Sequence, residues 1–259
     1  DAVEDVFSLP ISSLIGVENA TWTDPNTAPA PLEHYRILQA VYWDLAQALA
    51  PADIASLQAG YEFPLVVGAS DVGDLHHYTI NVSENAANDY SPTVSGDNAA
   101  WGQLAALLDE TTTTFTLSPV INDIDIEVGP RSLILIDNER MRLDSYDPLT
   151  GLVTVGRAVL DSVPAEHAAG AQVWFLSEFG VLETFNVYTN GTEVDFKLLT
   201  TTSLGELDLA AAPRLDVAVS QVMDRPYPAG CLRINDNYYP ADFLTWVINI
   251  KWSGRNRLL

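Results

Sequence analysis

A single cysteine, Cys231, stands among 259 residues, so no intrachain disulfide can form and the fold does not depend on an oxidising compartment. Bases are scarce as well. Twelve Lys and Arg face 35 Asp and Glu, a formal charge of −23 with pI near 4.1. That balance repels phosphate backbones and anionic lipid, which argues against nucleic acid and membrane surfaces as partners. No run of 18 or more apolar residues occurs, and no basic stretch followed by an apolar one opens the chain, so a soluble protein is expected. Three sequons, at Asn19, Asn81 and Asn190, carry no weight without a secretion signal. Charged residues reach only 18% against a usual figure of about 25%, whereas hydrophobic residues make up 47%. The chain has the material for a core, and disorder is excluded as its main state.

Catalytic motifs are equally sparse. There is no Gly-rich phosphate loop and no dinucleotide fingerprint. Gly68-Ala69-Ser70-Asp71-Val72-Gly73 spaces its glycines too widely for a nucleophile elbow. The four histidines are His34, His76, His77 and His167. His76 and His77 fall on opposite faces of a strand and cannot converge on one metal, and His34 is expected at a helix start, facing solvent or bonded locally. Asp123, Asp125 and Glu127 share a strand face at period two, but without the glycine-punctuated loop of a calcium site they read as a solvated edge. Trp22, Trp43, Trp101, Trp174, Trp246 and Trp252 are spread singly, as core or interface anchors are, although they could also line a sugar groove. No catalytic, cofactor-binding or metal-ligating residue is assigned, and no cofactor is expected.

What is present divides by charge. Residues 1–130 hold 19 acids and one base, Arg36, a net −18; the remainder holds 16 acids and 11 bases, a net −5. The change of composition predicts three units: 1–110, 111–180 and 181–259. The first is an acidic α+β domain. Tyr35, Leu38, Tyr42, Leu45 and Leu49 recur at three and four residues and predict an amphipathic helix at about 32–50, with a second short helix from Pro51 to Leu57. Phe63–Val67 and the alternation through His76, Tyr78, Ile80 and Val82 predict strands; Asn85–Asn98 reads as a loop, and Gln103–Leu108 as a helical turn.

The second unit is a small antiparallel β module. Leu133–Ile136 and Arg140–Tyr146 flank an Asp137-Asn138 turn, and Asp147–Gly151 is a second turn before strands at 152–155 and 173–176. The third unit is β-rich, with strands near 183–189, 194–199, 215–222 and 244–252 and an Asn190-Gly191 hairpin joining the first two. The fold class is therefore an α+β N-terminal section followed by mainly antiparallel β modules, multi-domain and β-rich overall. The chain opens on Asp1 and stops just after a strand-like run, which reads as a segment of a longer protein.

Three stretches carry a resemblance: Leu133-Ile134-Leu135-Ile136-Asp137-Asn138-Glu139-Arg140-Met141-Arg142-Leu143, then Val155-Gly156-Arg157, then Pro164-Ala165-Glu166-His167-Ala168-Ala169-Gly170-Ala171. Together they resemble a small β module of the tail and baseplate proteins of tailed bacteriophages and related gene-transfer particles. Arg225-Pro226-Tyr227-Pro228 and residues 250–257 resemble the segment leading into fibronectin-like domains of the same tail-tip proteins. The helical opening, with Tyr35-Arg36 and Tyr42-Trp43-Asp44-Leu45, resembles the region that precedes that module. One departure is Ala158, where a glycine-rich turn is expected. His167 is expected in a short turn, tying backbone groups, with Gly170 ending it.

The resemblance implies a non-enzymatic structural component of a tail tip or baseplate, of hub type. Its partners would be copies of itself, as a threefold ring, and other phage tail proteins. It would be located in the virion tail after synthesis in the host cytoplasm. Two alternatives stay open: a carbohydrate-binding host-adhesion domain, as in a tail fibre, and a glycan hydrolase. An assembly protein forms rings, an adhesin binds glycans as an isolated domain, and a hydrolase turns over.

Overall fold

The computed structural model describes residues 28–57, 60–71, 74–85, 87–118, 120–121, 126, 128–129, 131–176, 179–184, 186–220, 222, 230–236 and 248–253. Among the described residues the order opens with β1 (His34–Gln39), α1 (Tyr42–Ala48), α2 (Pro51–Ser56), β2 (Tyr61–Glu62), β3 (Pro64–Ala69) and β4 (His77–Glu84). Next come β5 (Ser91–Gly96), β6 (Trp101–Gln103), β7 (Thr114–Thr116), β8 (Leu133–Ile136), β9 (Glu139–Asp147) and β10 (Leu152–Gly156). It continues with β11 (Gln172–Phe175), β12 (Val181–Leu182), β13 (Tyr188–Thr189), β14 (Glu193–Thr202), β15 (Gly205–Glu206), β16 (Leu215–Ala218), β17 (Gly230–Ile234) and β18 (Ile250–Ser253). The β-rich, antiparallel character expected from the sequence is what the chain adopts.

Six strands form the largest sheet, in the order β6-β11-β8-β9-β10-β7. Single bridges from Leu104 to Leu117 and from Trp101 to Ile121 join the β6 edge to the chain leaving β7, so the sheet closes on itself and has little exposed edge. The Leu133–Ile136 run is buried on both faces, which is why it reads as four apolar residues without alternation. All four residues belong to the main core together with Trp101, Trp174 and Phe175. The turns are those the sequence announces. Asp137 takes φ +50° between β8 and β9, and Asp147 accepts the Leu149 N–H at 3.0 Å and the Thr150 hydroxyl at 2.7 Å at the start of the next turn.

A second sheet, β15-β14-β4-β5, has β16 also paired to β14, and its apolar face holds Tyr78, Ile80, Val82, Val194, Phe196 and Leu198. A third, β1-β3-β12, lies between these cores: Ile37 packs on the second, and Leu38 on the first. Smaller pairs are β13 with β2, and β17 with β18.

Several expectations are corrected. The helix at about 32–50 forms only over Tyr42–Ala48; residues 34–39 are a strand paired with β3, His34 opposite Ala69 and Gln39 opposite Pro64. Apolar residues three and four apart also suit a strand covered on both faces, and Tyr35, which helical spacing would bury, is exposed. Asn85–Asn98 is not all loop, because β5 pairs with β4; as an edge strand it tolerates Pro92, whose missing N–H has no neighbour to serve. Gln103–Leu108 forms no helical turn but leaves β6 through the Leu104–Leu117 and Leu108–His167 bridges. Among its described residues the segment 183–189 holds only β13, and although Asn190-Gly191 turns, with Gly191 at φ +87°, β13 pairs with β2 instead of β14. Residues 244–247 of the strand expected at 244–252, like Trp22, Trp246 and Arg225–Pro228, lie outside the described residues, and the end of that expected strand is in β18.

Strand pairing crosses the expected boundaries at 110 and 180. β6 of the first segment pairs with β11 of the second, and β2, β3 and β4 of the first pair with β13, β12 and β14 of the third. Charge reports which residues face solvent; it does not report which strands exchange hydrogen bonds.

Candidate functional site

Arg157 and His167 converge on one buried carboxylate, that of Glu139, with Asp137 beside them. The tight β8–β9 turn places Asp137 and Glu139 two residues apart, at the tip and at the first strand position. Arg157 directly follows β10, and His167 is held by a two-way backbone bridge to Leu108, at 2.9 and 2.8 Å. The Arg157 fork donates to Glu139, Nε to Oε1 and Nη2 to Oε2, both at 2.8 Å. The N–H groups of Ala158 and Ala165 add bonds of 2.9 Å to the same carboxylate. Each imidazole nitrogen of His167 faces a carboxylate oxygen, Nδ1 with Asp137 Oδ2 at 2.7 Å and Nε2 with Glu139 Oε2 at 3.0 Å.

Arg157 spends its remaining donors on carbonyls: Asp109 at 2.6 Å, Thr112 at 2.9 Å and Ala165 at 2.7 Å. All five guanidinium N–H groups are then engaged. The Asp109 carboxylate accepts from the backbone and hydroxyls of Thr111 and Thr112, which holds its pKa down to about 2 and fixes the loop that offers those carbonyls. Glu139 and His167 are each 1% exposed at the side chain, and Arg157 7%. Burial alone would push the Glu139 carboxyl up, but the hydrogen bonds of Arg157, His167 and Ala165, with the guanidinium charge, outweigh it and hold the carboxyl below its usual range.

Chemically this arrangement fastens four chain segments to one another. Each imidazole nitrogen of His167 and each carboxylate oxygen of Glu139 has a partner within the chain. His167 was expected to tie backbone groups; its side chain instead ties two carboxylates. Ala158 was the departure from a glycine-rich turn, and it adopts φ +50°, a conformation glycine takes without strain, while its N–H caps Glu139.

The other histidines lie elsewhere. His76 is exposed, 3.4 Å from Asp74, and His77 opens β4. His34 is not at a helix start; it opens β1, its ring 4.0 Å from that of Trp101. Asp123, Asp125 and Glu127 lie outside the described residues. Trp101 and Trp174 stack in the main core at 6.1 Å, whereas Trp43 borders a cavity of about 300 Å³ together with Asp44, Gln47 and Arg131 over a floor that includes Leu65 and Leu133.

A second polar cluster was not foreseen. Asp195 of β14 stands directly opposite Asp216 of β16, and Arg214 bonds both, reaching Asp195 Oδ1 at 2.9 Å. Single carboxylates among 35 acids give no sign of it; only the strand register brings the two together.

No protein-family model matches the sequence, and no match to a curated protein was found.

Proposed function

We propose that the chain is a structural component of a bacteriophage tail tip or baseplate, of hub type, that assembles with copies of itself and with other tail proteins. The observation that carries this reading is the Glu139 network. The motif residues Asp137, Glu139, Arg157 and His167 come from the stretches that resemble tail proteins, and in space they form one interlocked unit whose donors and acceptors are satisfied within the chain. A motif built to hold a module together, with its polar groups partnered within the chain, suits an assembly protein better than an enzyme. The surplus of acid favours solvent or basic neighbours at the charged surfaces and apolar contacts between copies. A threefold ring, located in the virion tail, belongs to the same proposal.

The test is imaging of intact particles with this chain tagged. Threefold density at the tail tip is the expected result. Sixfold density would overturn the threefold part, and absence from virions would overturn the whole reading.

A second reading, a carbohydrate-binding host-adhesion domain, is favoured by the cavity beside Trp43, where an indole stands next to a carboxylate, an amide and a guanidinium. Saturable binding of a glycan by the chain, lost in Trp43→Ala, would select it.

A further inference from the structure

The His34 end of β1 carries three metal-type ligands drawn from two chain segments. Glu33 and His34 enter β1, and Asp71 follows β3 just past the residue that pairs with His34. One carboxylate oxygen from each acid and one imidazole nitrogen all lie within 4.8 Å of one another; among the described residues no other group of three has this property. His34 Nε2 is 3.7 Å from Asp71 Oδ2. That is too long for a hydrogen bond, yet it is about the spacing of two ligands that each stand roughly 2.0–2.2 Å from one ion at a tetrahedral or wider angle.

The imidazole is also held in place from outside the cluster. Its ring lies against Trp101 of β6, with ring centroids 4.0 Å apart, and its Nδ1 is 3.1 Å from Nε2 of the Gln172 side-chain amide on β11. An amide presents nitrogen or oxygen at the same place after a half turn, so Gln172 Oε1 can accept from Nδ1–H and leave Nε2 unprotonated toward the two acids. A second ring nitrogen fixed by a neighbouring amide or carbonyl is how metal-bound histidines are oriented. Glu33 is fixed as well, accepting the Asp71 N–H at 3.1 Å.

We infer that Glu33, His34 and Asp71 form a binding site for a divalent transition ion, zinc foremost, with water completing the coordination. One nitrogen and two carboxylates select zinc, cobalt or manganese over magnesium, which prefers an all-oxygen shell and sheds water reluctantly. The bound ion cross-links the β1–β3 edge. Through His34 it bears on Trp101 and Gln172 of the closed sheet. This site is independent of the tail-protein reading, since none of its ligands is among the residues that carry the resemblance.

Zinc chloride titrated into the full chain by calorimetry, with the His34 ring signals followed by NMR, tests the inference. Saturable one-to-one binding is expected, with the His34 signals shifting at stoichiometric zinc and magnesium at least a hundredfold weaker. Asp71→Asn and Glu33→Gln are each expected to weaken zinc at least tenfold. His34→Ala should do the same, and because it also removes a packing contact, the two acid variants decide if it fails to fold. Three results overturn the site: no saturable binding, zinc affinity unchanged in both acid variants, or magnesium binding as tightly as zinc.

Discussion

Arg140 Nη1 lies 2.7 Å from Asp44 Oδ2, an ion pair with both side chains at least nine-tenths buried that joins residues 96 apart in sequence. Asp44 also closes the start of α1 by accepting the Val41 N–H at 2.8 Å, and Arg140 donates to the Gln39 carbonyl at 3.2 Å. The acidic N-terminal segment is therefore bolted to the β8–β9 hairpin. Removing one partner strands the other charge, so Asp44→Ala should cost about 3–5 kcal/mol. Because sheets also run across the segment boundaries, wild type and variant should each melt in one transition. Two resolved transitions, with protease cleavage between Asp109 and Arg131, would contradict this.

Glu139 sets a direction for acid stability. Its folded carboxyl is held below its usual range, so the contribution is complete above the unfolded value of about 4.3 and is lost as pH falls through the folded one. The melting temperature should fall below about pH 4.5. Glu139→Gln should be destabilised at pH 7 by about 3–5 kcal/mol and show a shallower acid slope. An unchanged slope in thermal melts from pH 3 to 7 would place the acid sensitivity elsewhere.

Local chemistry made the β8–β9 and β9–β10 hairpins legible, because Asp137-Asn138 and Asp147–Gly151 turn the chain by themselves. Pairings between distant segments were not legible: β4 with β14 spans more than a hundred residues, and nothing along β4 names its partner. β5 was lost to its own polarity, since Ser91, Pro92 and Thr93 suit an edge strand as well as a loop. For the Glu139 network the hint was a Glu-Arg pair inside an apolar run, a pattern that calls for buried partners. Arg157 and His167 stand 18 and 28 residues further on, however, and only the fold brings them in.

Tyr78, fully buried on β4, is flanked by glycines on two other strands. A Cβ at Gly96 would fall on the Tyr78 Cζ and hydroxyl, and one at Gly68 would meet Leu32 Cδ2 and stand 3.2 Å from Tyr78 Cε1. Gly96→Ala should therefore cost about 1–3 kcal/mol by overpacking. Tyr78→Phe removes part of the clash, so the double variant should be less destabilised than the sum of the two. Strict additivity in urea melts would show that the ring and Gly96 do not compete for space.

Asp195 carries the opposite sign of pH dependence to Glu139. Like charges set directly across two strands repel, and here Arg214 bonds both while one Asp195 oxygen has no hydrogen-bond partner. Burial, then the neighbouring Asp216, push the Asp195 carboxyl up against the pull of Arg214; Asp216, bonded by Arg214 and more exposed, is held down. The folded chain thus binds a proton at Asp195 more tightly than the unfolded chain does. Stability falls as pH rises from the ordinary aspartate value of about 3.9 through the raised folded one. Asp195→Asn keeps an oxygen for Arg214 and removes the charge, so it should melt a few degrees above wild type at pH 7. The difference should shrink as pH falls below the ordinary aspartate value, where the raised folded group takes up its proton. A variant that melts lower than wild type at pH 7 would mean that the Arg214 attraction outweighs burial and repulsion together.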